Sequence, residues 1–297
     1  MRKTRLPIQQ LAMFEDLPGV RFKAEPFLKW AGGKGQLLNQ FDALFPKNYN
    51  RYYEPFLGSG AVFFHLRPAK AVLNDINPNL VAAYRHIQTQ LDELLIILHS
   101  LRQKYHAQPP QEQEQTYYQL RTRYNTLSAG SLEKTALLIF LNTTGYNGLY
   151  RESKKGGFNV PFGRYDNPAI FDENNLRAVS VELHGVTLLN TGFKEAVSSA
   201  QDGDFIYFDP PYVPLSKTAS FTSYTSLDFS LADQHELAKT LKEVSGRGVL
   251  FMLSNAATDT ARELYKDFNR YEVLASRAIN SNPNSRDKIA ELVVTNY

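Results

Sequence analysis

The stretch Asp209-Pro210-Pro211-Tyr212 combines residue types that can perform chemistry. It follows residues 205–208, an apolar run of strand-forming residues, and the two prolines cannot continue a sheet ladder. Since proline has no N–H, this turn presents carbonyl oxygens. A carboxylate next to a carbonyl is a pair of acceptors, which matches the two donors of an NH₂ group. Tyr212 adds a flat face on which a planar ring can stack.

Asp209 can serve as a general base, a nucleophile or a hydrogen-bond acceptor, and the prolines favour the third role. The matching substrate is a planar heterocycle with an exocyclic amine. Two acceptors would favour the pyramidal amine with a free lone pair, which could then attack a methyl sulfonium directly. The methylated nitrogen is strongly acidic, so a carboxylate with an ordinary pKa of about 4 suffices. Such catalysis depends on positioning and preorganised electrostatics.

The segment 51–75 has the pattern of a nucleotide-binding βαβ unit. Residues 51–56 predict a strand, and Gly58-Ser59-Gly60 predicts a turn that lets a ligand lie against the backbone. A second predicted strand, 71–73, leads to Asp75, which lies 17 residues after Gly58. An acid at this place can accept hydrogen bonds from ribose hydroxyls. Asp75 can also cap a helix that begins near Pro78, and the two roles are compatible.

A glycine-rich turn with a lysine precedes this unit, at Trp30-Ala31-Gly32-Gly33-Lys34-Gly35. The lysine suggests an anionic ligand. The turn is not a Walker P-loop, because Gly35 follows the lysine in place of Ser or Thr. Trp30 is the only Trp of the chain, and a packed core indole explains it equally well.

Strands and helices alternate along most of the chain, which is typical of a mainly parallel sheet covered on both faces. The last two predicted strands have no helix between them, so we expect an antiparallel hairpin at the end of the sheet. The predicted strands are 51–56, 71–73, 186–189, 205–208, 248–253, 271–275 and 290–295. The predicted helices are 36–45, 62–66, 79–105, 111–123, 131–142, 194–200, 230–244 and 258–268, with a further short helix around 9–16.

Residues 144–165 predict a β-hairpin with a basic, glycine-rich tip that exposes Tyr, Leu and Arg side chains. This hairpin belongs to a basic region: residues 102–164 contain nine Lys or Arg and four Glu, a net charge of +5, while the whole chain has a net charge of +3. A basic middle suits a polyanion. The structural alternatives are an ordinary solvated helical face for the basic region and a surface hairpin without a functional role.

The composition excludes several kinds of protein. The 297 residues contain no Cys, which rules out disulfides and thiolate chemistry, and the six His show no metal-ligand spacing, so we expect no metal. No apolar run is long enough to span a bilayer, and the N-terminus lacks a secretory signal. We therefore expect a cytoplasmic protein that is monomeric in solution, with a loose N-terminal tail over residues 1–25.

Three motifs carry a family resemblance. Asp209-Pro210-Pro211-Tyr212 resembles motif IV of the S-adenosylmethionine-dependent amino methyltransferases. Residues 54–60 (Glu-Pro-Phe-Leu-Gly-Ser-Gly) resemble their motif I, and residues 27–34 (Phe-Leu-Lys-Trp-Ala-Gly-Gly-Lys) resemble their motif X. The order of these motifs, with a middle segment inserted before motif IV, resembles the Dam-like, GATC-specific DNA adenine-N6 methyltransferases of the D12 class. The resemblance covers residues 26–297.

The resemblance implies an α/β, Rossmann-like methyltransferase fold: a mixed seven-stranded sheet with an antiparallel final hairpin and an inserted, mainly helical DNA-recognition domain that bears a β-hairpin. The catalytic domain would comprise residues 26–78 and 172–297, and the recognition domain residues 79–171. The implied partner is double-stranded DNA and the implied cofactor is S-adenosyl-L-methionine. The implied cofactor site comprises Trp30, Ala31, Gly32, Gly33, Lys34, Glu54, Pro55, Phe56, Gly58, Gly60, Asp75, Ile76, Phe193 and Asp209, and the catalytic residues are Asp209, Pro210, Pro211 and Tyr212.

The resemblance also implies a DNA-binding set: Lys29, Arg123, Tyr146, Asn147, Leu149, Arg151, Asn159, Pro161, Ser216 and Tyr224. In that set, Lys29 and Arg151 read guanines, as the bidentate Arg–guanine geometry allows. Leu149 and Pro161 contact the thymine methyl group. Tyr146 enters the duplex as the target adenine flips out, and Asn147 contacts the exposed pairing edge. Flipping is required because N6 of a stacked adenine cannot reach a pocket. Tyr150 receives only a backbone-proximal role.

Several alternatives stay open. The same acceptor turn serves cytosine N4, an RNA adenine, a glutamine side chain or an adenine in another DNA sequence, although glutamine enzymes usually have Asn at the place of Asp209. A DNA-binding protein without catalysis is a further alternative. A dinucleotide oxidoreductase fails for want of a third glycine. Gly192 stands where relatives usually have an acid, so binding of the cofactor's adenine is expected to differ there. A restriction endonuclease is a possible genetic partner.

Overall fold

Seven strands form a single sheet in the computed structural model, which describes residues 23–153, 156–212, 229–275 and 289–297. The strands are β1 (Tyr52–Glu54), β2 (Ala71–Asn74), β3 (Thr187–Leu189), β4 (Phe205–Phe208), β5 (Leu250–Ala256), β6 (Asn269–Ala275) and β7 (Ile289–Thr295). Their order across the sheet is β3-β2-β1-β4-β5-β7-β6. Each predicted strand is present, with bounds that differ by a few residues.

Strands β1 to β5 pair in parallel, whereas β7 runs antiparallel to both of its neighbours. The expected mixed sheet with an antiparallel final hairpin is thus confirmed. Within the sheet, β7 lies between β5 and β6, and β6 is the edge strand. The strand order reverses between β1 and β4. In open α/β sheets, the carboxyl ends of the strands beside such a reversal form a crevice where ligands bind.

The central strand β4 is buried on both faces because its four residues are all apolar or aromatic. Phe205 and Tyr207 join one hydrophobic core, and Ile206 and Phe208 join the other. This alternation follows from the two-residue period of a strand. Helices therefore cover the sheet on both sides, as the alternating pattern predicted.

The helices divide between those two faces. They are α1 (Leu38–Phe41), α2 (Ala61–Leu66), α3 (Pro78–Thr89), α4 (Leu91–His106), α5 (Pro110–Thr126), α6 (Leu132–Thr144), α7 (Glu173–Glu182), α8 (Phe193–Ala196), α9 (Leu231–Gly246) and α10 (Asp259–Leu264), with a 3₁₀ turn at Tyr146–Gly148. Buried residues of α3 to α7 share one core with the sheet. The inserted helical segment thus packs directly onto that face, while α9 covers the opposite face.

One helix prediction is wrong, and one helix was missed. The single helix predicted over residues 79–105 is two helices, α3 and α4, separated at Gln90, whose φ of −141° is not helical. The apolar spacing continues in phase across this break, so periodicity alone could not reveal it. Asp92 and Glu93 in the first turn of α4 favour a new helix start after Gln90. Helix α7 had not been predicted.

Residues 144–165 follow an antiparallel path but do not form regular strands. The two sides meet in two isolated bridges, between Gly145 and Phe162 and between Glu152 and Phe158. We call this segment hairpin 144–165; its tip residues 154 and 155 lie outside the described residues. The same holds for the predicted N-terminal helix and for the predicted DNA-contacting residues Ser216 and Tyr224.

The end of the predicted N-terminal tail is fixed where the structure describes it. Ala24 is buried, and the Glu25 backbone exchanges hydrogen bonds with the Asn175 side chain on α7. Within the four described ranges, no helix is long and apolar enough to cross a bilayer. Within the same ranges, no three His, Cys, Asp or Glu side chains are grouped so that they can hold a metal ion.

Candidate active site and nucleic-acid interface

Asp209 lies at the carboxyl end of β4 and is held from two sides. Lys34 Nζ lies 2.7 Å from its Oδ2, and the Ser254 hydroxyl of β5 donates to its Oδ1 at 3.1 Å. Ser254 in turn bonds to the buried Tyr207 hydroxyl at 2.8 Å. Burial raises the pKa of Asp209 above its ordinary value, and the Lys34 ammonium and the Ser254 hydroxyl oppose that rise. The carboxylate is therefore fixed in direction and readier to take a proton than an exposed Asp.

The proline turn after Asp209 is anchored from α9. Gln234, which is buried, donates from Nε2 to the Pro211 carbonyl at 2.8 Å. Among the described residues no group donates to the Pro210 carbonyl, so this oxygen is the acceptor left beside Asp209. The Tyr212 hydroxyl donates to Glu291 Oε2 on β7 at 2.6 Å. The turn thus carries the two residues predicted as an acceptor pair, and its aromatic ring is fixed by a partner that the sequence did not suggest.

A pocket open to solvent lies between Asp209 and the glycine-rich turn of residues 30–35. Its lining includes eight of the residues predicted for the cofactor: Trp30, Ala31, Gly32, Gly33, Lys34, Glu54, Gly58 and Asp209. Five further lining residues had not been predicted: Leu57, Ser59, Ala61, Val62 and Tyr207. We call this cavity the strand-end pocket.

Charged groups are buried inside the strand-end pocket. Lys34 is 4% exposed and also donates to the Gly32 carbonyl at 2.6 Å, with its ammonium 4.9 Å from the centre of the Tyr212 ring. Glu54 is 3% exposed and accepts a hydrogen bond from the Tyr52 hydroxyl at 2.7 Å. Burial raises the pKa of Glu54 to about 8. At neutral pH Glu54 is thus largely protonated.

Asp75 ties the ends of β1 and β2 together at the mouth of the strand-end pocket. The Gly58 N–H donates to Asp75 Oδ2 at 3.0 Å, and the Asn77 N–H donates to Oδ1 at 2.9 Å. Gly58 has a φ of +49°, in the left-handed region that favours glycine. Helix α3 is capped by the Asn77 side chain and not by Asp75, so that the capping role proposed for Asp75 is wrong. Its carboxylate keeps lone pairs for a ligand.

An aromatic platform includes Phe56, which lies shortly before Gly58 in the chain but outside the lining of the strand-end pocket. The rings of Phe56 and Phe193 stack with centroids 5.5 Å apart, and Phe229 meets Phe56 edge-on at 5.7 Å. Ile76 is 50% exposed, and its carbonyl accepts a bond from Asn190. The other two predicted cofactor residues support the backbone: the Pro55 carbonyl accepts from Asn74 at 2.9 Å, and Gly60 packs closely on Tyr84.

Hairpin 144–165 presents several of the predicted DNA-binding side chains at the surface. Tyr146 is 54% exposed, and its N–H donates to the Pro161 carbonyl at 2.8 Å. Asn147, Arg151 and Pro161 are exposed, while Leu149 and Asn159 are partly buried. Asn147 has a φ of +57°, which Asn tolerates better than most residues.

Arg151 and Asn159 pair across the hairpin. The guanidinium donates from Nε to Asn159 Oδ1 at 2.8 Å and from Nη2 to the Asn159 carbonyl at 3.2 Å. The Asn159 N–H donates back to the Arg151 carbonyl at 3.0 Å. A guanidinium has five N–H donors, and these bonds use two of them. Arg151 is thus oriented while further donors stay available for a base edge.

Side chains of helix α5 support the second side of the hairpin, at residues 158–160. The Tyr117 hydroxyl and Arg121 Nη1 donate to the Val160 carbonyl at 2.9 and 3.0 Å. The Asn125 amide exchanges two bonds with the Phe158 backbone, at 2.9 and 3.0 Å. The sequence did not predict that these residues support the hairpin, because nothing in their spacing marks a bond to a distant backbone.

Three further residues have surroundings that bear on their predicted roles. Arg123, predicted to bind DNA, forms a double hydrogen bond with Glu133 and has no bond to hairpin 144–165 among the described residues. Lys29 is exposed and lies next to the hairpin at Gly148. Tyr150 is not merely backbone-proximal: it is buried, and its ring stacks on Trp30 with centroids 4.5 Å apart.

Comparison with known proteins identifies the family. A model of the D12 class N6 adenine-specific DNA methyltransferases matches residues 30–279. The chain is 41% identical over 285 residues to the type II methyltransferase M1.LlaDCHI of Lactococcus lactis subsp. cremoris, covering 93% of this chain and 97% of that protein. It is 43% identical over 288 residues to the type II methyltransferase M.MjaIII of Methanocaldococcus jannaschii, covering 93% and 100%.

A third relative carries a more specific name. Over 275 residues the chain is 36% identical to the DNA adenine methylase of Vibrio cholerae serotype O1, covering 91% of this chain and 95% of that protein. The matches span the strand-end pocket, the proline turn and hairpin 144–165 alike. The chain therefore belongs to the D12 class of N6 adenine-specific DNA methyltransferases.

Proposed function

We propose that this protein transfers a methyl group from S-adenosyl-L-methionine to N6 of an adenine flipped out of double-stranded DNA, within the sequence GATC. The observation that carries this proposal is the acceptor pair of the Asp209 carboxylate and the Pro210 carbonyl beside the strand-end pocket. Such a pair suits a conjugated amine. The family match favours the amine of adenine over that of cytosine.

The residues present fit S-adenosylmethionine. Lys34 is a buried cation for the α-carboxylate, and Asp75 keeps acceptor sites for ribose hydroxyls. The stacked Phe56 and Phe193 offer a platform for the adenine ring. The Gly58 turn stays narrow, since a Cβ there would lie 3.1 Å from Trp30 Cδ1. When bound, this cofactor supplies an electrophilic methyl group on a sulfonium.

The chain's own residues prepare the target amine. Asp209 accepts one N–H of the amine and the Pro210 carbonyl accepts the other, which favours the pyramidal nitrogen with its lone pair free. Tyr212, held by Glu291, offers a stacking face for the ring. After transfer, the methylated nitrogen is a strong acid, and Asp209 takes its proton more readily because burial raises the pKa of this carboxyl. The rate thus depends on preorganised acceptors rather than on a strong base.

Lys34 must leave Asp209 during the reaction. The ammonium lies 2.7 Å from the carboxylate, and a cation at that distance opposes the positive charge that develops on the amine nitrogen. The α-carboxylate of the cofactor is a suitable alternative partner for Lys34. We infer that cofactor binding prepares Asp209 for the amine.

Hairpin 144–165 supplies the sequence preference. Arg151, oriented by Asn159, can donate two bonds to one guanine, and Lys29 can reach the other guanine of the GATC site. Leu149 and Pro161 provide apolar contact for a thymine methyl group. Tyr146, 54% exposed, can fill the space left by the flipped adenine, with Asn147 at the orphaned pairing edge. Two relatives are named type II methyltransferases, so a restriction endonuclease for the same sequence is an expected genetic partner.

The test uses a host that lacks DNA methylation. We expect DNA from cells expressing this chain to resist an endonuclease that cuts only unmethylated GATC, and DNA from cells expressing Asp209→Ala to be cut. Single-molecule sequencing of the same DNA should place N6-methyladenine in GATC alone. Full cutting by the endonuclease would refute the GATC assignment, and the sequencing would then show which sequence carries the methyl group. Methylated cytosine without methylated adenine would refute the target base.

A further inference from the structure

We propose that Tyr150 is a positioning residue that couples the strand-end pocket to hairpin 144–165, so that cofactor and DNA strengthen each other's binding through the Trp30–Tyr150 stack. This inference rests on the proposed function, because it takes the pocket as the cofactor site and the hairpin as the DNA interface. It assigns a role to a residue outside both predicted binding sets.

The stack connects the two sites directly. The rings of Trp30 and Tyr150 are 19° from parallel, with centroids 4.5 Å apart. Trp30 also lines the strand-end pocket and touches the Gly58 turn, where a Cβ would lie 3.1 Å from its Cδ1. Any change in how the Gly58 turn is occupied therefore reaches the Tyr150 ring through a single side chain.

Tyr150 is in turn fixed within the hairpin. It is 1% exposed, its hydroxyl donates to Glu152, and its ring packs on Phe158 at 5.7 Å. The next residue along the chain is Arg151, the proposed guanine reader. A shift of the Tyr150 ring would thus move the backbone that carries Arg151, along with its partner Asn159.

A second tie runs beside the stack. The Lys29 N–H donates to Asn142 Oδ1 at 2.9 Å, and Asn142 Nδ2 donates to the carbonyls of Lys29 and Gly148 at 2.9 and 3.0 Å. Asn142 is buried at the end of α6. Residues 29–30 and 148–150 are therefore joined by both an amide clamp and an aromatic stack. The clamp holds the backbone, while the stack holds the side chain that faces the pocket.

Coupling follows if each ligand orders this junction. A ligand that restricts Trp30 makes the hairpin conformation that reads DNA less costly to reach, and linkage requires the reverse effect to be equal. We expect about a tenfold mutual strengthening, within the range typical of coupled sites. Without the Tyr150 ring the factor should fall to about 2 or less.

The sole Trp of the chain makes the junction visible, since tryptophan emission reports only Trp30. S-adenosylhomocysteine, which supplies no methyl group, is titrated into the full-length protein with and without a GATC duplex, and the duplex is titrated with and without S-adenosylhomocysteine. The variants are Tyr150→Leu, which removes the stack, and Tyr150→Phe, which keeps the ring and loses the bond to Glu152. Tyr105→Leu removes an equally buried ring that packs on Phe140 in α6, and serves as the matched control.

We expect the unsubstituted protein, Tyr150→Phe and Tyr105→Leu to show the coupling, and Tyr150→Leu to lose it while each ligand alone still binds within a few-fold. Trp30 emission should shift to longer wavelength in Tyr150→Leu only. If that variant lacks a cooperative thermal transition, Tyr150→Met is compared in the same way. Retained coupling in a folded Leu or Met variant would overturn the inference, as would an equal loss in Tyr105→Leu.

The methylation assay keeps the two proposals separate. If the protein methylates GATC but S-adenosylhomocysteine and DNA bind independently, the coupling is refuted and the proposed function stands. If the protein methylates a different sequence, the GATC assignment fails. The affinity for S-adenosylhomocysteine with and without a duplex of that sequence then decides the role of Tyr150.

Discussion

The strand-end pocket and hairpin 144–165 are held in place by different kinds of interaction. The pocket's reactive groups lie at the ends of paired strands and bond to other strand residues, as Ser254 of β5 does to Asp209 after β4. Among its described residues the hairpin forms two isolated bridges and no regular strand, and side chains from α5 bond to its backbone. The sheet thus positions the acceptor groups of the pocket, whereas helix α5 supports the hairpin that we propose selects the DNA sequence. Changes in the pocket should alter the reaction, and changes in the hairpin should alter sequence preference.

The largest effect is expected at Asp209. Asp209→Asn keeps the shape of the side chain but replaces one acceptor oxygen with a donor NH₂ that faces the target amine. We expect the single-turnover rate of methyl transfer to fall by at least about 10²-fold, the scale known for lost preorganised groups. Affinity for the cognate duplex should stay within a few-fold, because hairpin 144–165 is unchanged.

The matched control is Asp204→Asn, just before the same strand, where the carboxylate accepts a bond from the Gln201 N–H and from no other group among the described residues. Its transfer rate should stay near that of the unsubstituted protein. If the single-turnover rate of Asp209→Asn falls by less than about tenfold, the acceptor role is contradicted.

The next largest effect is expected at Glu54, a buried acid that lines the strand-end pocket. The pKa of Glu54 is raised from 4.5 to about 8 in the folded chain. Between those two values the unfolded chain has lost a proton that the folded chain keeps, so the free energy of unfolding falls as the pH rises from about 4.5 to about 8. Glu54→Gln cannot titrate and should lack this part of the decline.

Urea unfolding of both proteins at pH 5 and pH 8 measures that difference. The decline should be smaller in Glu54→Gln by on the order of 3 kcal/mol. Parallel declines would show that Glu54 is already ionised in the folded pocket at neutral pH.

The converse test is made at the hairpin. Arg151→Ala removes the proposed bidentate contact with a guanine, so discrimination at that one base pair should fall by about 1–3 kcal/mol, or about 5- to 150-fold. The single-turnover rate on saturating cognate DNA should change far less. The measurement compares kcat/KM across duplexes that differ at each position of the site.

Arg123→Ala is the control for that test, because Arg123 pairs with Glu133 and not with hairpin 144–165. It should leave discrimination unchanged at every position. If Arg151→Ala lowers kcat/KM equally on every duplex and leaves discrimination unchanged, Arg151 contacts phosphate instead of a base.

The same contrast explains which parts of the molecule were predictable from sequence. The apolar run before Asp209, the two prolines and the Gly58 turn are local signals. Each predicted its element and its place at the carboxyl ends of the strands. Asp75 was correctly expected at the end of β2. Its capping role was wrong because Asn77, two residues later, has the side chain that reaches the first N–H groups of α3.

Residues that act across long sequence separations could not be predicted. Gln234 reaches the Pro211 carbonyl from α9, and Glu291 reaches Tyr212 from β7. Asn142 clamps Lys29 over a separation of 113 residues. No periodicity or turn signal marks such partners, since their positions follow from how the sheet and helices assemble. Hairpin 144–165 was found from its glycines and aromatic residues, but its irregular backbone depends on α5, which the local sequence does not reveal.

The smallest effect is expected beside the aromatic platform, at the position where the family resemblance leads us to expect an acid. Gly192 precedes Phe193, and a Cβ there would meet no other heavy atom within 4 Å among the described residues. Gly192→Asp would place a carboxylate beside the aromatic platform, where it can accept a bond from the exocyclic amine of the cofactor's adenine. Since Gly192 is exposed, we expect a gain of only about 0.5–1.5 kcal/mol, or about 2- to 10-fold, in affinity for S-adenosylhomocysteine measured by calorimetry. Gly192→Asn, which offers an uncharged acceptor, should gain less, and S-inosylhomocysteine, which lacks the amine, should gain nothing. An equal gain for both ligands would mean that the new carboxylate acts on the pocket's charge and not on the adenine.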